Sequence, residues 1–244
     1  MSAPTVLLTG ASRGIGHATA KLFQEKGWRI LTLSRQAVSA DCLYAEATIN
    51  HIQADLSNLD EIERLAEQIK RRLTDGKLHA MINNAGISPK GPNGDRLGIA
   101  TTDAATWAQV INVNLVSIAL LARILMPNLQ SAKGAIVNVT SIAGSHVHPF
   151  AGAAYAVSKA GLSALTRELA HEFGPSGVRA NAVSPGEIET SILSPGTDAL
   201  VNAIVPARRL GTPAEVAESI FFLCGETSSY INGTELHIDG GQHV

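Results

Sequence analysis

The sequence predicts an α/β protein: a doubly wound parallel sheet of about seven strands, in one domain spanning residues 1–244. Three observations predict it. Short apolar runs alternate along the chain with longer amphipathic stretches, the two periodicities that separate strand from helix. The first apolar run leads straight into a glycine-rich turn, TGASRGIG (9–16), of the kind that bends a strand sharply into a helix. The 244 residues are 45% hydrophobic and 16% charged, enough apolar material for one large core.

Strands are expected at TVLLT (5–9), WRILTLS (28–34), HIQA (51–54), HAMIN (79–83), GAIVNVT (134–140), VRANAVS (178–184) and TELHID (234–239). Helical periodicity fills roughly 14–26, 58–73, 103–126 and 153–173, and a further stretch, 213–224, leads into the seventh strand. Strand, helix, strand in repetition implies parallel pairing with helices on both faces. Two Gly- and Pro-rich stretches, 87–100 and 185–211, break the rhythm; loops of that length in a compact domain are usually functional.

A net charge of −2, from 19 basic and 21 acidic residues spread along the chain, provides no basic stripe for nucleic acid and no polybasic patch for lipid. The expected partner is a small molecule. Cys42 and Cys224 lie far apart without C-x-x-C spacing, so neither a disulfide framework nor a zinc site is expected; each reads as a buried thiol in a reducing cytoplasm. The N-terminal MSAPTVLLTG lacks a basic leader region and its apolar run is too short to span a membrane. His146 and His148, in SHVHPF, resemble a metal pair but have no third ligand spaced to join them; they are expected to line or edge a substrate pocket.

Gly10, Gly14 and Gly16 stand where the backbone must approach a pyrophosphate, ahead of a helix whose first N–H groups and positive dipole end are free to bind it. Further on, YAVSK (155–159) sets Tyr155 four residues before Lys159, amid small residues. On a helix the two share a face one turn apart. Alone, such a pair arises by chance about one time in ten in a chain of this composition. A phenol is a poor proton donor or acceptor at neutral pH unless its anion is stabilised. A cation at about 4 Å, in an effective dielectric of about 20, contributes about 4 kcal/mol, an upper estimate that moves the tyrosine toward a pKa of 7.

TGASRGIG (9–16), NNAG (83–86), NVNL (112–115), VTSIAG (139–144), YAVSK (155–159), VSPGEIET (183–190) and INGTELHIDGG (231–241) together resemble the short-chain dehydrogenase/reductase family, in its order and over nearly the whole chain. The resemblance implies a Rossmann-type fold. It implies Tyr155 as catalytic acid/base, Lys159 as its electrostatic partner and a ribose ligand, Ser141 as orienter of the substrate oxygen, and Asn114 as holder of a relay water. For the cofactor it implies Gly10, Ser12, Arg13, Gly14, Ile15 and Gly16 at the turn. Ser34, Arg35, Asp55 and Leu56 follow at the adenosine end, then Asn83, Ala85 and Gly86. Pro185, Gly186, Ile188 and Thr190 belong with Tyr155 and Lys159 at the nicotinamide. Asp55 has an equal claim as a helix cap, Ser141 a lesser one as a turn serine, and Asn114 is also suited to satisfying a helix kink. A homotetramer and a lid over 187–210 are further implications.

The second strand ends LTLSRQ, with Ser34 and Arg35 where NAD-specific sites carry an acidic residue for the ribose 2′-OH. A guanidinium instead suits a 2′-phosphate, and Arg13 can add a second charge. NADP(H) is the expected cofactor, with NAD(H) possible. The expected reaction is hydride transfer between NADP(H) and a carbonyl or secondary alcohol. The nearest look within the family is the 3-oxoacyl-thioester reductase type; a sugar, polyol or xenobiotic alcohol dehydrogenase is the alternative. A non-catalytic dinucleotide sensor is the rival from another class, and the retained Tyr155 and Lys159 argue against it.

Overall fold

The computed structural model describes residues 3–36, 50–190, 193 and 196–244. Seven parallel strands form one sheet: β1 (Thr5–Thr9), β2 (Arg29–Ser34), β3 (His51–Gln53), β4 (Ala80–Asn83), β5 (Ala135–Val139), β6 (Arg179–Pro185) and β7 (Glu235–Ile238), in the order β3-β2-β1-β4-β5-β6-β7. The sheet runs outward in both directions from β1 and β4, so a crevice opens at their carboxyl ends, where ligands bind in such sheets.

Alternation along the strands divides the core in two. Leu7, Leu31, Leu33, Met81 and Ile136 face one side. They meet α2 (Ile62–Arg71), α4 (Ser117–Ala132) and α5 (Ala153–Phe173) through Leu65, Ile69, Leu121, Leu125 and Leu169. Val6, Leu8, Ile82, Val137 and Val183 face the other. There they meet α1 (Gly14–Glu25) and α7 (Pro213–Cys224) through Phe23, Val216, Ile220 and Leu223. Each fully buried Leu or Phe contributes about 1.5–3 kcal/mol of transfer free energy. Phe23 stands edge-on to Trp28 and Phe221, each at 5.1 Å. Thr212 and Glu215 form a capping box with Pro213 at the first turn of α7, which is why that helix starts where the sequence places it.

Two expectations need correction. The helix expected to end at 126 runs on as α4 to Ala132, through Pro127, which removes one backbone donor. A proline inside a helix costs about 3 kcal/mol, and burial of Met126 and Leu129 offsets it. Chain reversal follows at Lys133, in the left-handed region at φ 48°. Within the 185–211 loop lies a helix, α6 (Thr197–Ile204), which buries Thr197 and Val201. The stretch Ala104–Ala132, comprising α3 (Ala104–Ile111), a π-helical turn (Asn112–Val116) and α4, is long and apolar enough to cross a membrane by length and composition. Half of that window is buried, with Ile118, Leu121 and Leu125 in the core. Cys224 is half-buried, and burial pushes its thiol up to about 12; Cys42 lies outside the described residues.

Candidate active site

A cavity of about 550 Å³ opens along the carboxyl edge of the sheet. Gly10, Ser12, Arg13, Gly14 and Ile15 line it at the β1–α1 turn. Gly10 has φ 72°, and a Cβ there would lie 2.8 Å from the Ala85 Cα. Arg13 is the N-cap of α1 but makes no side-chain cap bond, so the first-turn N–H groups are left for a ligand. An anion fits that position on backbone dipoles alone. Gly16 is not on the wall; its missing Cβ lets α1 pass the Gly10 carbonyl, which that atom would meet at 2.1 Å. It serves the turn by close packing.

Ser34, Arg35, Asp55 and Leu56 line one end of the cavity. Ser34 donates to the Gln36 carbonyl (2.7 Å), and the exposed Arg35 and Arg13 both line the cavity. Asp55 accepts from the Ser57 N–H at 2.9 Å. That bond, aided by the charge of Arg35, holds its carboxyl below the usual range despite some burial. Asp55 therefore closes a local turn at Ser57 and does not cap the helix that follows, whose first turn has Asn58 as its N-cap, and it lines the cavity.

Ala85 and Gly86 line the middle, whereas Asn83 does not. Asn83 is fully buried and donates to Asn138 Oδ1 at 2.8 Å, in a polar chain that continues from Asn138 to Thr166. The next residue, Asn84, reaches the glycine turn, donating to the carbonyls of Thr9 (3.1 Å) and Gly10 (2.9 Å). Strand alternation decides this: one residue further, the side chain is on another face.

Pro185, Gly186, Ile188 and Thr190 line the opposite end, with Ser141, Tyr155 and Lys159. Ser141 caps a 3-10 turn, accepting from the Ala143 N–H at 3.2 Å, and still faces the cavity. Lys159 is 3% exposed; its ammonium donates to the Val139 carbonyl at 2.6 Å and lies 5.6 Å from the Tyr155 ring centre. Asn114 is buried in the π-helical turn, off the cavity wall. Its amide is committed to the Ile87 backbone in both directions (2.8 and 3.0 Å) and to Ser158 Oγ (3.0 Å). π-Turns of this kind occur often at functional sites.

The electrostatics correct one expectation. In the protein alone Tyr155 is pushed up, not toward 7: burial dominates, the Ser141 hydrogen bond opposes it, and the Glu187 carboxylate adds to it. Lys159 is itself brought down to about 8 by burial. Desolvation sets the direction of both shifts.

Sequence reasoning missed Glu187 and Lys90. Glu187, 9% exposed, accepts from His148 Nε2 at 2.5 Å, and both line the cavity. His148 is thus on the pocket wall as expected; His146 is off it and bonds Ser145. Lys90 lines the same end and donates to the Phe150 carbonyl. Away from the cavity, His237, Asp239 and His243 bring three potential ligand atoms within 4.8 Å. Asp239 accepts from His243 Nδ1 (2.8 Å) and the Gly241 N–H (3.0 Å), and the two imidazoles stack at 4.2 Å. Parallel stacked rings do not converge on one ion, and the cluster ties down the C-terminal tail.

Residues 10–243 match a family described as enoyl-(acyl carrier protein) reductase. The chain is 55% identical over 240 residues to protein FixR of Bradyrhizobium diazoefficiens, covering 98% of this chain and 86% of that protein. It is 33% identical to the 3-oxoacyl-[acyl-carrier-protein] reductase FabG of Chlamydia trachomatis, covering 97% and 96%. A crystal structure of a short-chain dehydrogenase/reductase oxidoreductase from Brucella ovis, in complex with a partially ordered NAD, superposes with a TM-score of 0.84 at 50% identity, covering 97% of this chain and 100% of that one. With the Rossmann-type sheet and a Tyr–Lys pair at its carboxyl edge, these matches establish that the chain belongs to the short-chain dehydrogenase/reductase family.

Proposed function

We propose that the chain is a cytoplasmic oxidoreductase, one catalytic domain over 1–244, that uses NADP(H) to interconvert a carbonyl and a secondary alcohol. The observation that carries this is the convergence of Ser141, Tyr155 and Lys159 on the cavity whose other end is the uncapped α1 terminus. The bound dinucleotide supplies or accepts the hydride. The chain's own residues do the rest. Ser141 Oγ holds the substrate oxygen. Tyr155 Oη gives that oxygen a proton in reduction and takes it back in oxidation. The Lys159 ammonium stabilises the phenolate and binds the ribose. A Cβ on Gly86 would lie 3.4 Å from Lys159 Nζ and 3.5 Å from Asn114 Oδ1; the glycine keeps a gap between them suited to a relay water. The segment 187–210 closes over the nicotinamide and excludes water; proteolysis there slowed by cofactor is the expected sign, and equal cleavage in both states counts against it.

The preference for NADP(H) rests on Arg35 and Arg13 at the end of the cavity where β2 finishes without a carboxylate. A charged hydrogen bond of about 1.5–3 kcal/mol makes Arg35 worth about 10- to 150-fold. Replacing Ser34 by Asp together with Arg35 by Ile should shift kcat/KM toward NAD(H) by that order. A wild-type enzyme that already favours NAD(H) would overturn the assignment.

Likeness to FabG supports a 3-oxoacyl thioester as substrate. The charged side chains of Lys90 and Glu187 on the cavity wall favour the second class, a sugar, polyol or xenobiotic alcohol, since an apolar acyl chain offers no group for their remaining donors and acceptors. For assembly we propose a homotetramer. Val157 on α5 is 51% exposed, and Leu236 and Tyr230 lie exposed at and before the edge strand β7; exposed apolar side chains on two separate elements suit two interfaces. Light scattering at micromolar concentration should give four copies, and a monomer would refute it.

A further inference from the structure

Three side chains at the substrate end neither give nor take the proton of the proposed reaction. Glu187, directly after the Pro185–Gly186 turn, is a buried carboxylate, and such a group persists only with partners. One partner is His148, whose Nε2 donates to Glu187 Oε1 at 2.5 Å. His148 Nδ1 accepts from the Phe150 N–H at 3.2 Å, so the ring is held at both nitrogens and keeps its Nε2 aimed at Glu187. The third is Lys90. The 87–100 loop holds it in place by pairing with itself at Lys90 and Arg96, and by the bond from Arg96 Nε to the Ala151 carbonyl at 2.7 Å. Among the described residues Lys90 has no carboxylate in an ion pair; its recorded bond is to the Phe150 carbonyl. The Glu187 charge bears on both Lys90 and Tyr155.

One ammonium and one carboxylate balance in charge, yet they present a strong donor and a strong acceptor on one wall. We propose that Glu187, oriented by His148, and Lys90 form a subsite for a hydroxyl group next to the reacting carbon, selecting neutral α-hydroxyketones and the corresponding vicinal diols. A hydroxyl meets both demands at once, donating to Glu187 and accepting from Lys90. A hydrocarbon chain meets neither. Sites built to bond a substrate hydroxyl discriminate strongly against analogues lacking it, because their own polar groups are left bare. This inference rests on the hydride-transfer reading and narrows its substrate.

The test compares kcat/KM for 2-hydroxycyclohexanone, cyclohexanone and an acetoacetyl thioester at saturating NADPH and, separately, NADH. Wild-type enzyme should favour the hydroxyketone over cyclohexanone by at least about 10-fold. Glu187→Gln keeps the bond from His148 but presents an NH₂ donor to the cavity, and should bring the ratio to within about threefold of unity. Lys90→Met should lower it as well, and provides the second reading if the buried glutamine variant fails to bind cofactor by fluorescence. A wild-type ratio at or below unity, or a ratio unmoved in both variants, overturns the subsite alone. No NADPH or NADH oxidation with any of the three carbonyls overturns the hydride-transfer reading with it.

Discussion

Tyr155→Phe should lower kcat by about 10²- to 10⁴-fold, the usual worth of a positioned general acid or base, while cofactor affinity stays near wild type. The substitution removes one hydroxyl from a ring that otherwise keeps its place on α5 beside Lys159. The direction of the Tyr155 shift adds a second expectation. Burial and the Glu187 charge favour the neutral phenol, which is the proton-donating form, so reduction should be well supported at neutral pH. Oxidation needs the phenolate, which gains population as pH rises, so its kcat/KM should climb from about pH 6 until the Lys159 ammonium that supports the phenolate is lost near about 8. Initial rates in both directions check this. A phenylalanine enzyme with comparable kcat, or oxidation that slows across that interval, would remove Tyr155 from the proton step.

The parts of this site that were legible in the sequence are those written locally. The glycine turn and Tyr155 with Lys159 lie within single turns of backbone, so spacing alone fixes their geometry, and all seven strands fall where apolar runs predict them. What escaped depends on contacts between distant segments. Glu187 and His148 are 39 residues apart in sequence and meet only when β6 and the loop before α5 end at the same edge. The helical periodicity expected to end at 126 runs on to Ala132, because packing carries the helix through Pro127. Asn83 and Asn84 are indistinguishable by type, and only the strand's last residue decides which one turns inward. The direction of the Tyr155 shift was hidden for a related reason: a distance between two charges can be guessed from helix geometry, but the burial that opposes it belongs to the whole fold.

Lys159→Met should separate chemistry from stability. The wild-type ammonium is buried and held below its ordinary value, at about 8. An unfolded lysine titrates near about 10.4. Between those two values the unfolded chain holds a proton that the native chain has released. Native stability therefore rises with pH across the window from about 8 to about 10.4, by at most about 3 kcal/mol, and below it the buried charge is a standing cost. Methionine fills much the same volume without that cost, but leaves the Val139 carbonyl without the donor it has at 2.6 Å, a loss of about 1–3 kcal/mol. The two effects nearly cancel, so the urea midpoint at pH 7 should stay close to wild type, while the upward slope of stability above about pH 8 flattens. Turnover should nevertheless fall by 100-fold or more in order of magnitude, and cofactor affinity should weaken because the ribose loses its bond. A variant that keeps its turnover but unfolds more readily at pH 7 would show that Lys159 is there for the fold and not for the reaction.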